Sequence, residues 1–300
     1  MRGIDDAGRL RAHYQPIVDA RTRATVAYEA LARDETGVFP AARFAAARVN
    51  GRLAELDAEC LRAALTGAAG LDATLFVNVE PESFDGPPAI DVAPARVMVE
   101  LTERGLTTRP AELLLAVERV RRLGWGIAID DVGVDWRSIA LMPFLRPDVI
   151  KLDRGLLRDA DSRQTAQVVN GVRAHIDAHG GLLLAEGIVE EPDADCARAL
   201  GATLGQGFLY GRPSTEHRPA NVTGVPLPIF TTALPHPWRT PFEVASARRP
   251  VRHGTMPLLA SITRELERQA ASGHRTSLLI SSFPDNDGEL ARINALYDEL

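Results

Sequence analysis

Through its first 215 residues the chain alternates short apolar runs with longer segments of helical periodicity, and this alternation limits the fold more than any other feature. The runs are TVAYEAL, TLFVNVE, RVMVELTE, WGIAIDD, DVIKLD, GLLLAEG and GFLYG. Helical candidates lie between them. Two examples are ARFAAARVNGRLAELDAECLRAALTGA and PAELLLAVERVRRLG, the second opening with Pro110 at a first-turn position where a missing N–H costs little. Strands separated by helices return parallel, so the segment reads as βα units around a mainly parallel sheet. A barrel and a doubly wound sheet both satisfy the pattern, and 300 residues hold one such domain plus a smaller module.

The polar residues discriminate further. Each run ends on, or just before, a residue that is costly to bury: Glu29, Asn78, Glu100, Asp130 with Asp131, Lys151, Glu186, and Gln206 just ahead of GFLYG. In a TIM-like barrel the C-terminal strand ends meet on one face, so these residues would surround one site. Strands also end in polar residues simply because they reach solvent, which accounts for two or three of the set. The set as a whole predicts a TIM-like (β/α) barrel followed by a small α/β C-terminal module.

Five carboxylates in one pocket repel one another unless cations are present. Carboxylate oxygens and one amide suit Mg²⁺ or Mn²⁺, whereas zinc recruits His or Cys. His175 and His179 fall in a helical stretch, His217, His236 and His253 in loops, and no histidine is read at the end of a strand. General-base work by histidine is therefore not expected, and a carboxylate-rich divalent site fits phosphoester hydrolysis with two metals. Lys151 is the one lysine among 34 basic residues. In a chain that otherwise uses arginine, a lysine between Ile150 and Leu152 implies a need for a compact ammonium, able to hold one water or oxygen beside a metal.

Composition adds exclusions. A net charge of −6 gives no basic footprint, so duplex nucleic acid is not an expected partner. MRGIDDAGRL lacks an apolar leader and no stretch approaches 18 apolar residues, which predicts a cytoplasmic chain without a membrane segment. Cys60 and Cys196 lie far apart without metal spacing and read as reduced packing residues.

Seven ordered motifs between about residues 8 and 215 resemble the EAL-domain cyclic di-GMP phosphodiesterases: YQPIVD and YEALAR, FVNVEP, ELTE, DDVG, IKLD, AEG and GQGFLYGRP. The resemblance implies a barrel that cleaves one phosphodiester bond of cyclic di-GMP to give linear pGpG, using Mg²⁺ or Mn²⁺ at a two-metal site. By the same resemblance Glu29, Asn78, Glu100 and Asp130 are ligands of a first metal and Asp131 of a second. Lys151 orients the attacking water, Glu186 and Gln206 support metal and water, Gln15 and Arg33 contact substrate, and Glu103 buttresses a loop. A homodimer is the implied assembly.

Two stretches depart from that pattern. DDVGVDWRSI stands where the family reads close to DDFGTGYSSL, with Asp135 in place of a glycine, and AEGIVE places Val189 where a supporting glutamate is usual, displacing Glu190 by one. Three readings stay open on these grounds: an active phosphodiesterase, a cyclic di-GMP receptor that does not cleave, and a dimeric scaffold. The proposed domain division is a barrel over 1–218, a linker with six prolines over 219–241, and a small α/β module over 242–300; the segment from TPFEVAS onward resembles the first half of a DICT sensory domain.

Overall fold

Runs that are apolar on both strand faces must be covered on both sides, and the computed structural model shows how. Eight strands close into a barrel in sequence order, each bonded to the next and the eighth to the first. The structure describes residues 10–69, 71, 73–81, 84, 96–102, 110–133, 139, 142–215 and 227–228. The strands are β1 (Arg11–Asp19), β2 (Thr25–Arg33), β3 (Thr74–Asn78), β4 (Val97–Thr102), β5 (Gly126–Val132), β6 (Val149–Leu152), β7 (Leu182–Ala185) and β8 (Leu204–Gln206). From β2 to β8 every pairing is parallel. β1 runs antiparallel to both β2 and β8, so its N-terminal half reaches the rim where the other strands end.

Three expectations change here. β1 is not among the seven apolar runs, because Pro16 interrupts it; the strand accommodates the ring opposite Tyr28. GFLYG is a turn, and the last strand is the three residues before it, including Gln206. Gly207 approaches Ile188 so closely that a Cβ there would overlap the Ile188 carbonyl. Around that approach Ile188 N–H donates to Gln206 O at 3.1 Å and Leu209 N–H to Ile188 O at 3.1 Å. Finally, the first long helical segment is two helices, α1 (Ala41–Val49) and α2 (Leu53–Gly67), broken where Gly51 takes φ 67°.

Further helices are α3 (Pro110–Arg122), α4 (Met142–Leu145), α5 (Arg154–Arg158), α6 (Arg163–His179) and α7 (Glu191–Ala199). Their starts carry legible caps. Asp153 accepts from Gly155 N–H, Ser162 accepts from Thr165 N–H, and Glu190 forms a capping box with Asp193.

Two apolar layers result. The outer one packs strand residues such as Val77, Leu101, Ile129 and Ile150 against helix residues such as Leu65, Leu113 and Val172. The inner one fills the barrel with one side chain from each strand: Ile17, Ala27, Phe76, Met98, Ala128, Val149, Leu184 and Leu204, joined by Leu227. A buried ion pair fixes the start of β6. Asp148 is fully buried, its Oδ2 accepting from Arg121 Nη1 at 2.6 Å and from Ile127 N–H at 2.7 Å. Removing one partner of such a pair costs about 3–5 kcal/mol.

Candidate active site

Side chains on a strand repeat at every second residue, so the inner apolar layer determines what lies directly above it. Two positions beyond Ala27, Phe76, Met98, Ala128, Val149, Leu184 and Leu204 stand Glu29, Asn78, Glu100, Asp130, Lys151, Glu186 and Gln206. On the reversed β1 the residue two positions before Ile17 is Gln15. All eight strands thus present a predicted site residue above an apolar floor.

Lys151 occupies the centre. It is only 1% exposed, and its Nζ lies 2.5 Å from Glu100 Oε1, 2.7 Å from Glu186 Oε1, 3.0 Å from Asp130 Oδ1 and 4.0 Å from Glu29 Oε2. Glu29 is held from two other sides: Gln206 Nε2 donates to its Oε2 at 2.6 Å and Asn78 Nδ2 to its Oε1 at 3.2 Å. Gln206 Nε2 also reaches Gln15 Oε1 at 3.4 Å, and Gln15 Nε2 donates to Gly211 O at 3.2 Å. Arg33 stands apart at the rim, half-buried, with its Nη1 donating to Ala32 O at 2.8 Å.

Burial and mutual repulsion set the electrostatics. Burial alone would push Glu29 up, but Lys151 and the hydrogen bonds from Gln206 and Asn78 hold it below the ordinary carboxylate value. Glu100 is pushed well up by burial and by the charge of Glu29, against the pull of Lys151. Burial raises Glu186 to about 7 despite Lys151, and burial with the neighbouring Asp130 raises Asp131. Burial works against the Lys151 ammonium, yet Glu100, Glu186, Glu29 and Asp130 together hold its pKa well above the usual lysine value. The ammonium contacts four carboxyl groups, with Asp131 beside them, and the raised values of Glu100, Glu186 and Asp131 mark a site whose full ionisation calls for further cations.

The donors fit a hard divalent ion. Asp130, Asp131 and Glu186 each offer an oxygen within 4.8 Å of the others. Glu100 Oε2 and Gln206 Oε1 are buried without a hydrogen-bond partner among the described residues. Oxygen-only donors of this kind match Mg²⁺ or Mn²⁺. Asp131 takes φ 58°, unusual for a side chain with a Cβ, and its N–H donates to Asp130 Oδ1 at 3.0 Å.

Glu103, Asp135 and the rest of the divergent loop over 134–138 lie outside the described residues, as do 229–300 with the proposed DICT-like module. In the second divergent stretch Val189 is exposed and Glu190 caps α7, while Ile188 is buried against the β8 turn. Sequence reasoning missed two rim residues. Arg11 and His13 share the inward face of β1 with Gln15, opposite Arg33 and Leu31. No histidine was expected at the end of a strand, and His13 reaches the mouth by another route, because β1 is reversed and its beginning, not its end, lies there. Alternation along β1 would have found both once Pro16 was allowed within a strand.

A family model described as "EAL domain" matches residues 2–213. The cyclic di-GMP phosphodiesterase RocR of Pseudomonas aeruginosa is 28% identical over 236 residues, covering 72% of this chain and 60% of that protein. Two uncharacterised relatives, from Azorhizobium caulinodans and Sinorhizobium fredii, are 29% and 30% identical, and the match spans 31% and 27% of their lengths. The chain thus spans less than two thirds of these relatives. Among solved structures, Klebsiella pneumoniae BlrP1 in a manganese and cyclic di-GMP complex superposes with a TM-score of 0.61 at 29% identity, over 70% of this chain and 57% of that one. The PaMucR phosphodiesterase in complex with c-di-GMP gives 0.58 at 26% identity, over 69% and 92%.

Proposed function

Because this chain belongs to the EAL domain family, we propose that it is a metal-dependent phosphodiesterase that hydrolyses cyclic di-GMP to linear pGpG. The observation that carries this reading is the convergence of eight strands on a carboxylate-rich centre around one buried lysine, with carboxylate and amide oxygens left without protein partners among the described residues. RocR and the PaMucR phosphodiesterase, similar over most of the barrel, support the substrate.

In this reading Glu29, Asn78, Glu100 and Asp130 hold a first cation, and Asp131 with Asp130 and Glu186 a second. When bound, Mg²⁺ or Mn²⁺ ions would supply Lewis-acid activation of water and neutralise the phosphate oxygens. The protein's part is placement. Gln206 fixes the Glu29 carboxylate, and Lys151 Nζ holds the attacking water while balancing the surrounding carboxylates. Gln15 and Arg33 grip the dinucleotide, Arg33 as a planar fork suited to phosphate or guanine edges. The water oxygen bonds to phosphorus, the phosphorus–ribose oxygen bond breaks, and the proton passes to the departing hydroxyl, leaving one phosphomonoester and one alcohol. A homodimer, a cytoplasmic setting and the division at 218 and 241 belong to the same proposal. Among the described residues no helix is long and apolar enough to cross a membrane.

Chelation tests the metal requirement. EDTA should abolish pGpG formation and either Mg²⁺ or Mn²⁺ should restore it, as followed by chromatography. Undiminished turnover in excess EDTA would contradict the proposal.

A further inference from the structure

The antiparallel seating of β1 creates a feature that neither the hydrolytic centre nor its floor requires. Arg11 pairs directly with Arg33 across the β1–β2 ladder, and His13 pairs with Leu31. All lie on the inward face, since Tyr14, the intervening residue, points outward and donates its hydroxyl to Ala64 O of α2 at 2.9 Å. Like charges directly opposite on an antiparallel pair repel. No ion pair involving Arg11 or Arg33 occurs among the described residues, and the hydrogen bond from Arg33 Nη1 goes to a backbone carbonyl. The loop after β2 approaches His13, whose Cε1 lies 3.7 Å from where a Cβ on Gly37 would stand. Burial, then Arg33 and Arg11, hold its imidazole below the usual histidine range, so all three groups share one local field.

Along β2, Arg33 is four residues beyond Glu29, about 13 Å further up the strand at the usual rise. The barrel mouth thus pairs a negative floor with a positive rim on one side. A ligand carrying two separated phosphates matches that polarity, with one phosphate at the carboxylate centre and the other against the rim. We propose that Arg11 and His13, together with Arg33, form an anion subsite that holds the phosphate of the dinucleotide that is not being hydrolysed. The proposal rests on the cyclic dinucleotide reading above and adds Arg11 and His13 to the binding residues.

The test is equilibrium binding of cyclic di-GMP to the full chain in Ca²⁺, a cation named together with cyclic di-GMP in a solved BlrP1 complex, across a salt series. Arg11 is exposed at a strand end, so Arg11→Gln should fold normally. It should weaken affinity about tenfold, as expected for one charge-assisted hydrogen bond, and make the dependence of log Kd on log salt shallower. Arg11→Lys should keep the wild-type salt slope, and His13→Gln should weaken binding by a smaller factor. Wild-type affinity in Arg11→Gln would overturn the subsite and leave the phosphodiesterase reading standing, as would weaker binding with an unchanged salt slope. Absence of binding by the wild-type chain itself would overturn both.

Discussion

His175 in α6 is 6% exposed, stacks on His179 with ring centroids 4.6 Å apart, and neither of its nitrogens has a hydrogen-bond partner among the described residues. Burial, with His179 and Arg146, lowers its pKa to about 4. The folded state therefore holds it neutral while the unfolded chain protonates near pH 6.5, so unfolding takes up a proton and stability falls as pH drops from about 6.5 to about 4. His175→Leu should lose that component and move the acid-unfolding midpoint, followed by circular dichroism, to lower pH. An unchanged midpoint would show that the imidazole is not the titrating group. Lys151, by contrast, could be read from its neighbours alone. In a chain whose other 33 cations are arginine, an ammonium between two apolar residues has no surface explanation, and it lies buried among four carboxylates at 2.5 to 4.0 Å. Arg11 and His13 carry no such signal, because their importance comes from the partner strand opposite them and not from their immediate neighbours.

At the scale of elements, β2 to β7 were readable because runs such as TLFVNVE and WGIAIDD are apolar on both faces and end in a residue with a separate reason to be there. β1 and β8 were not. β1 contains Pro16, and β8 is three residues long and less apolar than the GFLYG turn that follows it. What distinguishes strand from turn at β8 is tertiary: the backbone of Gly207 passes against Ile188, locking Gln206 beneath the β7–α7 loop. A methyl group at Gly207 must push those two backbones apart. Gly207→Ala should therefore lower the melting temperature by several degrees and reduce turnover more than affinity, since it displaces Gln206 from Glu29. A variant with wild-type melting and wild-type kcat would contradict that account of the turn.

For the molecule as a whole, closure of eight strands turns eight separate sequence positions into one site. Each position is a polar residue two steps from a buried apolar one, and only the barrel makes them neighbours. Leu227, in the segment read as a linker, joins the inner apolar layer, so the barrel draws part of its core from beyond 218. That packing could not be read locally, because Pro226 and Pro228 flank Leu227 and mark the stretch as an extended linker despite the alternation of Val225, Leu227 and Ile229. The central claim is hydrolysis of cyclic di-GMP at the centre held by Lys151. Its most direct test is a single-turnover assay with excess protein, cyclic di-GMP and Mg²⁺ or Mn²⁺, run beside Lys151→Ala. The account predicts pGpG from the wild-type chain, and a rate at least about a hundredfold lower from the variant while its affinity stays within a few-fold. Bound but intact cyclic di-GMP with either metal would contradict it and make the protein a receptor, and equal turnover by both proteins would remove Lys151 from the chemistry.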